Sequence, residues 1–281
     1  MNISQMPVPF MKLSGTGNDF IVIDHRSPFL TSEQMSDFAR LVCRRKFSVG
    51  ADGLILLENS DTADFRWQFF NGDGSVAEMC GNGARCAARY AYLKGIAPAL
   101  MHFETLAGVI EAKVESTEVS VKMTAPKDIL LNQELEVDGR KVGYHFIDTG
   151  VPHVVIFHED IKNVNVSESG RPIRFHEAFQ PAGTNVNFTG TLPDSSLHVR
   201  TYERGVEDET FACGTGATAC ALIGAMLGRE NSPVKIVTSG GDRLTILFTL
   251  RDGTTAENVF LKGPAHVIYQ GEINAEALYE G

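Results

Sequence analysis

The chain has 281 residues, 43% of them hydrophobic and 21% charged, with a formal net charge of −10. That composition fits one large or two medium soluble domains with a substantial core, and the negative charge argues against nucleic acid or an anionic membrane as partner. Residues 1–10 lack the basic start and apolar stretch of a signal peptide, and no apolar run reaches the ~18 residues that span a bilayer. Five scattered cysteines, an odd number, suit a reducing cytoplasm.

Taken in order, residues 10–13 and 20–24 read as strands, joined by Ser14-Gly15-Thr16-Gly17-Asn18-Asp19. That turn puts Phe20 where a dinucleotide fingerprint needs its third glycine, so it is a poor nucleotide loop. Thr31-Ser32-Glu33-Gln34 gives a capping-type start to a helix running to about residue 44. Val49-Gly50-Ala51-Asp52-Gly53 turns the chain into a strand at 54–58. A strand at 65–70 then delivers Asn71-Gly72-Asp73-Gly74 just ahead of Cys80 and a helix at 84–93. Strands at 102–106, 109–114 and 119–123 complete the first half.

Pro126 marks the boundary, and the order then repeats. Residues 141–148 and 153–157 read as strands, followed by a polar, partly helical region to Gly170. Strands at 184–189 and 197–203 lead through Glu203-Arg204-Gly205 to Cys213 and a second helix at 217–227. Strands at 234–238, 244–249, 258–261 and 266–273 close the chain. Strands, a small-residue helix, then strands, twice over, is a duplication at domain scale.

The duplication is sharpest at Cys80-Gly81-Asn82-Gly83-Ala84 and Cys213-Gly214-Thr215-Gly216-Ala217. Both read Cys-Gly-x-Gly-Ala, 133 positions apart, and each opens a run of helix formers. Each half thus carries a cysteine at the mouth of a helix. There the free N–H groups and the positive dipole end favour a thiolate and attract a carboxylate. A zinc site is a poor rival: Cys86 lies six residues past Cys80, about 240° around a helix, and no histidine pair accompanies them. Dinucleotide binding at Gly214-Thr215-Gly216-Ala217-Thr218-Ala219 is also disfavoured, because Glu207-Asp208-Glu209-Thr210 replaces the apolar strand that should precede it.

Gly15-Thr16-Gly17-Asn18-Asp19-Phe20, Asn71-Gly72-Asp73-Gly74, Met79-Cys80-Gly81-Asn82-Gly83-Ala84-Arg85, Thr184-Asn185-Val186-Asn187-Phe188, Glu203-Arg204-Gly205 and Ala212-Cys213-Gly214-Thr215-Gly216 occur in this order. Together they resemble the diaminopimelate epimerase family over essentially the whole chain. Proline racemases, the nearest relatives, more typically have His after Cys-Gly.

The resemblance implies an α/β fold of the α+β type. It has two pseudo-symmetric domains, each a mixed or antiparallel sheet wrapped around a central helix. Residues 1–126, joined by a C-terminal strand at 268–281, would carry Cys80, and residues 127–267 would carry Cys213. It further implies a cytoplasmic, cofactor-free and metal-free isomerase interconverting LL- and meso-2,6-diaminopimelate for lysine and peptidoglycan precursors, with the active site in the cleft between domains. Cys80 and Cys213 become the acid/base thiols, assisted by His153 and Glu203. Asn18, Asn71, Gly81, Asn82, Asn185, Glu203, Arg204, Gly214 and Thr215 become substrate-binding positions. Tyr269 matches a tyrosine of the family's homodimer contact. The partner is a small molecule, with no nucleic acid or membrane.

General chemistry agrees with that implication. Inverting an α-carbon requires a proton removed from one face and another returned to the opposite face, which one thiolate and one thiol accomplish without moving the substrate. Two departures bear on the substrate: Val151 stands where many members of the resembled family carry a pocket Asn, and Gly53 where some carry a pocket Gln. A racemase acting on another amino acid is the alternative they leave open.

Overall fold

The computed structural model describes residues 6–279; the parts of the leader and C-terminal-strand expectations falling on residues 1–5 and 280–281 lie outside the described residues. The chain divides into two compact units. One runs to Val121 and resumes at Gly263; the other is Lys122–Lys262.

The first unit contains β1 (Val8–Gly15), β2 (Asn18–Asp24), α1 (Ser32–Val42), β3 (Gly53–Glu58), β4 (Phe65–Asn71), α2 (Gly81–Leu93), β5 (Leu100–Thr105), β6 (Gly108–Glu115) and β7 (Glu118–Lys122). The second contains β8 (Lys127–Val137), β9 (Arg140–Asp148), β10 (Pro152–Phe157), α3 (Val166–Arg174), β11 (Asn185–Thr191), β12 (Leu197–Glu203), β13 (Asp208–Thr210), α4 (Gly214–Met226), β14 (Val234–Thr238), β15 (Arg243–Arg251) and β16 (Thr255–Pro264). The last strand, β17 (His266–Ile273), pairs antiparallel with β1 and so belongs to the first unit.

The strand order of the first unit is β17-β1-β2-β3-β4-β5-β6-β7. Only the β2–β3 and β4–β5 pairs are parallel. The second unit runs β8-β9-β10-β11-β12-β14-β15-β16, with β10–β11 and β12–β14 parallel. Position by position, the two orders and orientations are the same. The copies differ in where the first strand comes from: β8 precedes its neighbour in the chain, whereas β17 is supplied by the C-terminus.

Each unit buries one helix inside its sheet. Ala84, Cys86, Ala87, Ala88, Tyr90 and Ala91 of α2 pack against side chains of β1 to β7. In α4 every residue from Gly216 to Ala225 is buried. A sheet can close round a helix only where the helix's inward side chains are small. That is why both sequences are rich in Ala, Gly and Cys. On the outer side of the first sheet, α1 covers Ile21, Ile23, Leu54 and Leu56 with Phe38, Leu41 and Val42, so β2 and β3 are buried on both faces. The capping start of α1 is present, with Gln34 Oε1 accepting from Thr31 N at 2.9 Å.

β8 has no counterpart among the expected strands. Asp128 and Asn132 both take positive φ, at 53°, and the pairing with β9 slips on either side of Leu130. The alternation survives these shifts, with Ile129, Leu131, Leu135 and Val137 turned inward, but exposed Leu130 and inward Gln133 blur it in the sequence.

Candidate active site

The two cysteines are built in the same way. Cys80 is the N-cap of α2 (φ −146°, ψ 119°) and Cys213 the N-cap of α4 (φ −117°, ψ 108°). Their carbonyls accept from Ala84 N at 2.8 Å and Ala217 N at 2.9 Å, opening each helix. The N–H groups of Gly81, Asn82 and Gly83, and of Gly214, Thr215 and Gly216, precede the first intrahelical donors and so have no partner within their helix. They are oriented to receive an anion.

In the first unit Thr16 and Gly17, both at positive φ (52° and 87°), make the two-residue turn between β1 and β2. This turn brings Thr16 Oγ1 to 2.9 Å from Asn82 Oδ1. Arg85, fully buried, donates to the same two oxygens at 2.8 and 2.9 Å and to Gly81 O at 3.4 Å. With its oxygen so occupied, Asn82 turns its nitrogen to Asn18 Oδ1 at 2.6 Å, and Asn18 in turn donates to Asp52 Oδ2 at 3.2 Å. Asn18, Gly81 and Asn82 therefore gather at the head of α2. Asn71, opposite Gly53 in the pairing of β4 with β3, donates instead to Ser75 Oγ at 2.9 Å. Gly53 is not a vacated slot, because a Cβ there would sit 2.7 Å from Phe70 O and 2.8 Å from Phe69 Cε2.

In the second unit Cys213 Sγ is 3.4 Å from Thr215 Oγ1, and Thr149 Oγ1 donates to Thr215 O at 3.1 Å. Asn185 Nδ2 donates to Pro152 O at 3.3 Å, while its oxygen accepts from Arg204 N at 2.8 Å. Arg204 Nη1 donates to Ala182 O at 2.7 Å. Glu203 Oε2 accepts from Thr210 Oγ1 at 2.7 Å; burial raises its pKa, with the Thr210 hydrogen bond opposing. His153 is fully buried, and burial followed by the Arg204 charge pushes its imidazole down to about 3, against the opposing Asn187 hydrogen bond. Tyr269 stands apart on β17, partly exposed, with its ring edge-on to Phe10 at 5.7 Å.

The other three cysteines are different in kind. Cys43, Cys86 and Cys220 are buried, and burial pushes the first two up to about 12 and raises the third further. None of the five is in a disulfide. Residue types had not singled out Thr16, Arg85, Thr149, Asn187, Thr201 and Thr210 as site positions. Thr16, Arg85 and Asn187 do lie within the motifs quoted above, and the spacing Asn185-Val186-Asn187 places two amides on one strand face.

The family profile described as Diaminopimelate epimerase matches residues 10–129 and 145–268, spanning both cysteine helices. The chain belongs to the diaminopimelate epimerase family. It is 50% identical over 280 residues to the diaminopimelate epimerase of Aquifex aeolicus (strain VF5), covering 96% of this chain and 99% of that protein. It is 46% identical over 279 residues to that of Hydrogenobaculum sp. (strain Y04AAS1), covering 94% and 98%. The fold is shared more widely. A hydroxyproline epimerase of Agrobacterium vitis, solved with trans-4-hydroxy-L-proline bound, superposes with a TM-score of 0.69 at 16% identity, covering 99% of this chain and 93% of that one. Among the described residues no helix is long and apolar enough to cross a membrane.

Proposed function

We propose that the protein is an isomerase that interconverts LL- and meso-2,6-diaminopimelate without a cofactor, in the cytoplasmic route to lysine and peptidoglycan precursors. Membership of the family and 50% identity to a relative named for this activity support the reaction. One structural observation carries the mechanism: of five cysteines, only Cys80 and Cys213 are partly exposed, and both are helix N-caps.

One cysteine, as thiolate, takes the α-proton from one face of the stereocentre, and the other, as thiol, delivers a proton to the opposite face. The two then hold each other's protonation states, and the reverse reaction resets them. Charge released from the α-carbon spreads into the α-carboxylate, which the N–H groups of Gly81-Asn82 and Gly214-Thr215 receive. A donor placed in this way typically accounts for about 10²–10³ in rate. Asn18, Asn71, Asn185, Glu203 and Arg204 bind the remainder of the substrate. Arg204 suits the distal carboxylate, because a planar guanidinium binds a carboxylate bidentately.

Incubating purified, reduced protein with LL-diaminopimelate and resolving the stereoisomers tests the reaction. Meso product is expected. Its absence, with turnover of another amino acid in a panel, would replace this substrate by that one. Homodimerisation through β17 completes the proposal, supported by Ile268 and Tyr269, whose apolar side chains are exposed there. Sedimentation should show a dimer that Tyr269→Ala weakens; a wild-type monomer would remove this part.

A further inference from the structure

In both units one face of three neighbouring strands lies beneath the first turn of the central helix. The first unit aligns Phe20 with Gly53 and Ile55 with Phe69. The second aligns His153 with Asn185 and Asn187 with Thr201. Because the connectivity is shared, Phe20, Ile55 and Phe69 hold the places that His153, Asn187 and Thr201 hold in the other copy. The glycine three residues after each cysteine confirms the match. A Cβ on Gly83 would lie 3.4 Å from Ile55 Cδ1 and 3.5 Å from Phe20 Cε1. A Cβ on Gly216 would overlap Asn187 Oδ1 and lie 3.2 Å from Thr201 Oγ1.

One copy fills these buried places with hydrocarbon, Phe20 and Phe69 meeting edge to face at 5.9 Å. The other fills them with a hydrogen-bonded polar chain, equally buried. The fold therefore tolerates an apolar trio here, and the polar one needs a different explanation.

That chain has a single direction. Thr201 Oγ1 donates to Asn187 Oδ1 at 2.9 Å, and Asn187 Nδ2 donates to Val154 O at 2.9 Å. These contacts fix which end of the amide is nitrogen. The same nitrogen is 3.0 Å from His153 Nδ1, which must then be the acceptor. The neutral ring therefore carries its proton on Nε2, and Nε2 is buried with no hydrogen-bond partner. A buried donor without a partner calls for a ligand or a role.

We propose that Asn187 and Thr201 are positioning residues that hold His153, the assistant of the acid/base thiols, as its Nε2–H tautomer. The Cys80 unit has no counterpart, so the two thiols work in unlike surroundings. This rests on the two-cysteine reading above, because that reading supplies the thiols that His153 assists.

Histidine-labelled protein read by nitrogen-15 NMR tests it, with the His153 signal assigned by His153→Gln. The wild-type ring should show the Nε2–H pattern, unchanged through neutral pH. Asn187→Asp, which keeps the side chain's shape but accepts from Nδ1–H, should move the proton to Nδ1. It should also lower kcat about 10²-fold or more with little change in KM. Asn187→Ile, which installs the first unit's residue but unpairs Thr201 Oγ1 and His153 Nδ1, should melt below wild type and lose kcat equally. A wild-type Nδ1–H ring would overturn the proposal, as would wild-type kcat in Asn187→Asp. Should the wild type not act on diaminopimelate at all, the functional reading fails while the tautomer still decides this one.

Discussion

Glu203 lies at the C-terminal end of β12, where burial raises its pKa while the hydroxyl of Thr210 opposes the shift. A carboxyl whose folded value exceeds its unfolded value favours the fold while protonated. Its contribution is present below the ordinary carboxylate range and is lost as pH rises through the folded value. Glu203→Gln, neutral at every pH, should therefore gain stability relative to wild type as pH rises to neutrality, with no such gain in acid. Melting curves across pH check this, and a difference that does not vary with pH would contradict it. At this scale the sequence made the two N-cap cysteines legible, because Cys-Gly-x-Gly-Ala occurs twice in register. It did not reveal the hydrogen-bonded side chains around the two helix heads. Arg85 reaches Thr16 across 69 positions and Asn187 reaches His153 across 34. Nothing local in either residue marks such a partner.

The elements that matter most are α2 and α4, both started by a cysteine and both sheathed by their own sheet. Their sequences alike call for small residues, yet what lies beneath the third helical position differs. Gly83→Ala adds a methyl at ordinary contact distance from Ile55 and Phe20, and should stabilise by about 0.5–1 kcal/mol through the better helix former. Gly216→Ala drives a methyl into Asn187 Oδ1, and should cost about 1–3 kcal/mol as well as activity. Paired melting and rate measurements check both; equal effects would contradict the asymmetry of the two floors. β12, with alternating Leu197, Val199 and Thr201 buried, and β10, a short apolar run, were legible within a residue or so. β8 was not, although Ile129, Leu131, Leu135 and Val137 alternate inward along it, because exposed Leu130 and inward Gln133 blur the apolar–polar pattern. The short β13 hid behind its charge: Asp208 and Glu209 read as an acidic loop, but Glu209 pairs with Arg200 at 2.7 Å across the strands.

At the scale of the whole chain, two units repeat one connectivity, and the first borrows its outermost strand from the C-terminus. The order of elements in the sequence exposed the repeat, since each half delivers two short strands, a helix, two more strands and a cysteine helix. Strand order within each sheet was not legible, because parallel pairs such as β2–β3 and β10–β11 join strands separated by a whole helix. A two-cysteine mechanism makes both units indispensable to one reaction. Wild type, Cys80→Ala, Cys213→Ala and the buried control Cys86→Ala should be incubated in deuterium oxide with LL-diaminopimelate, and the stereoisomers and their α-deuterium content resolved. Wild type and Cys86→Ala should yield meso product carrying solvent deuterium at the inverted carbon, while Cys80→Ala and Cys213→Ala each yield none. Wild-type epimerisation by either of those two variants would contradict the two-cysteine mechanism.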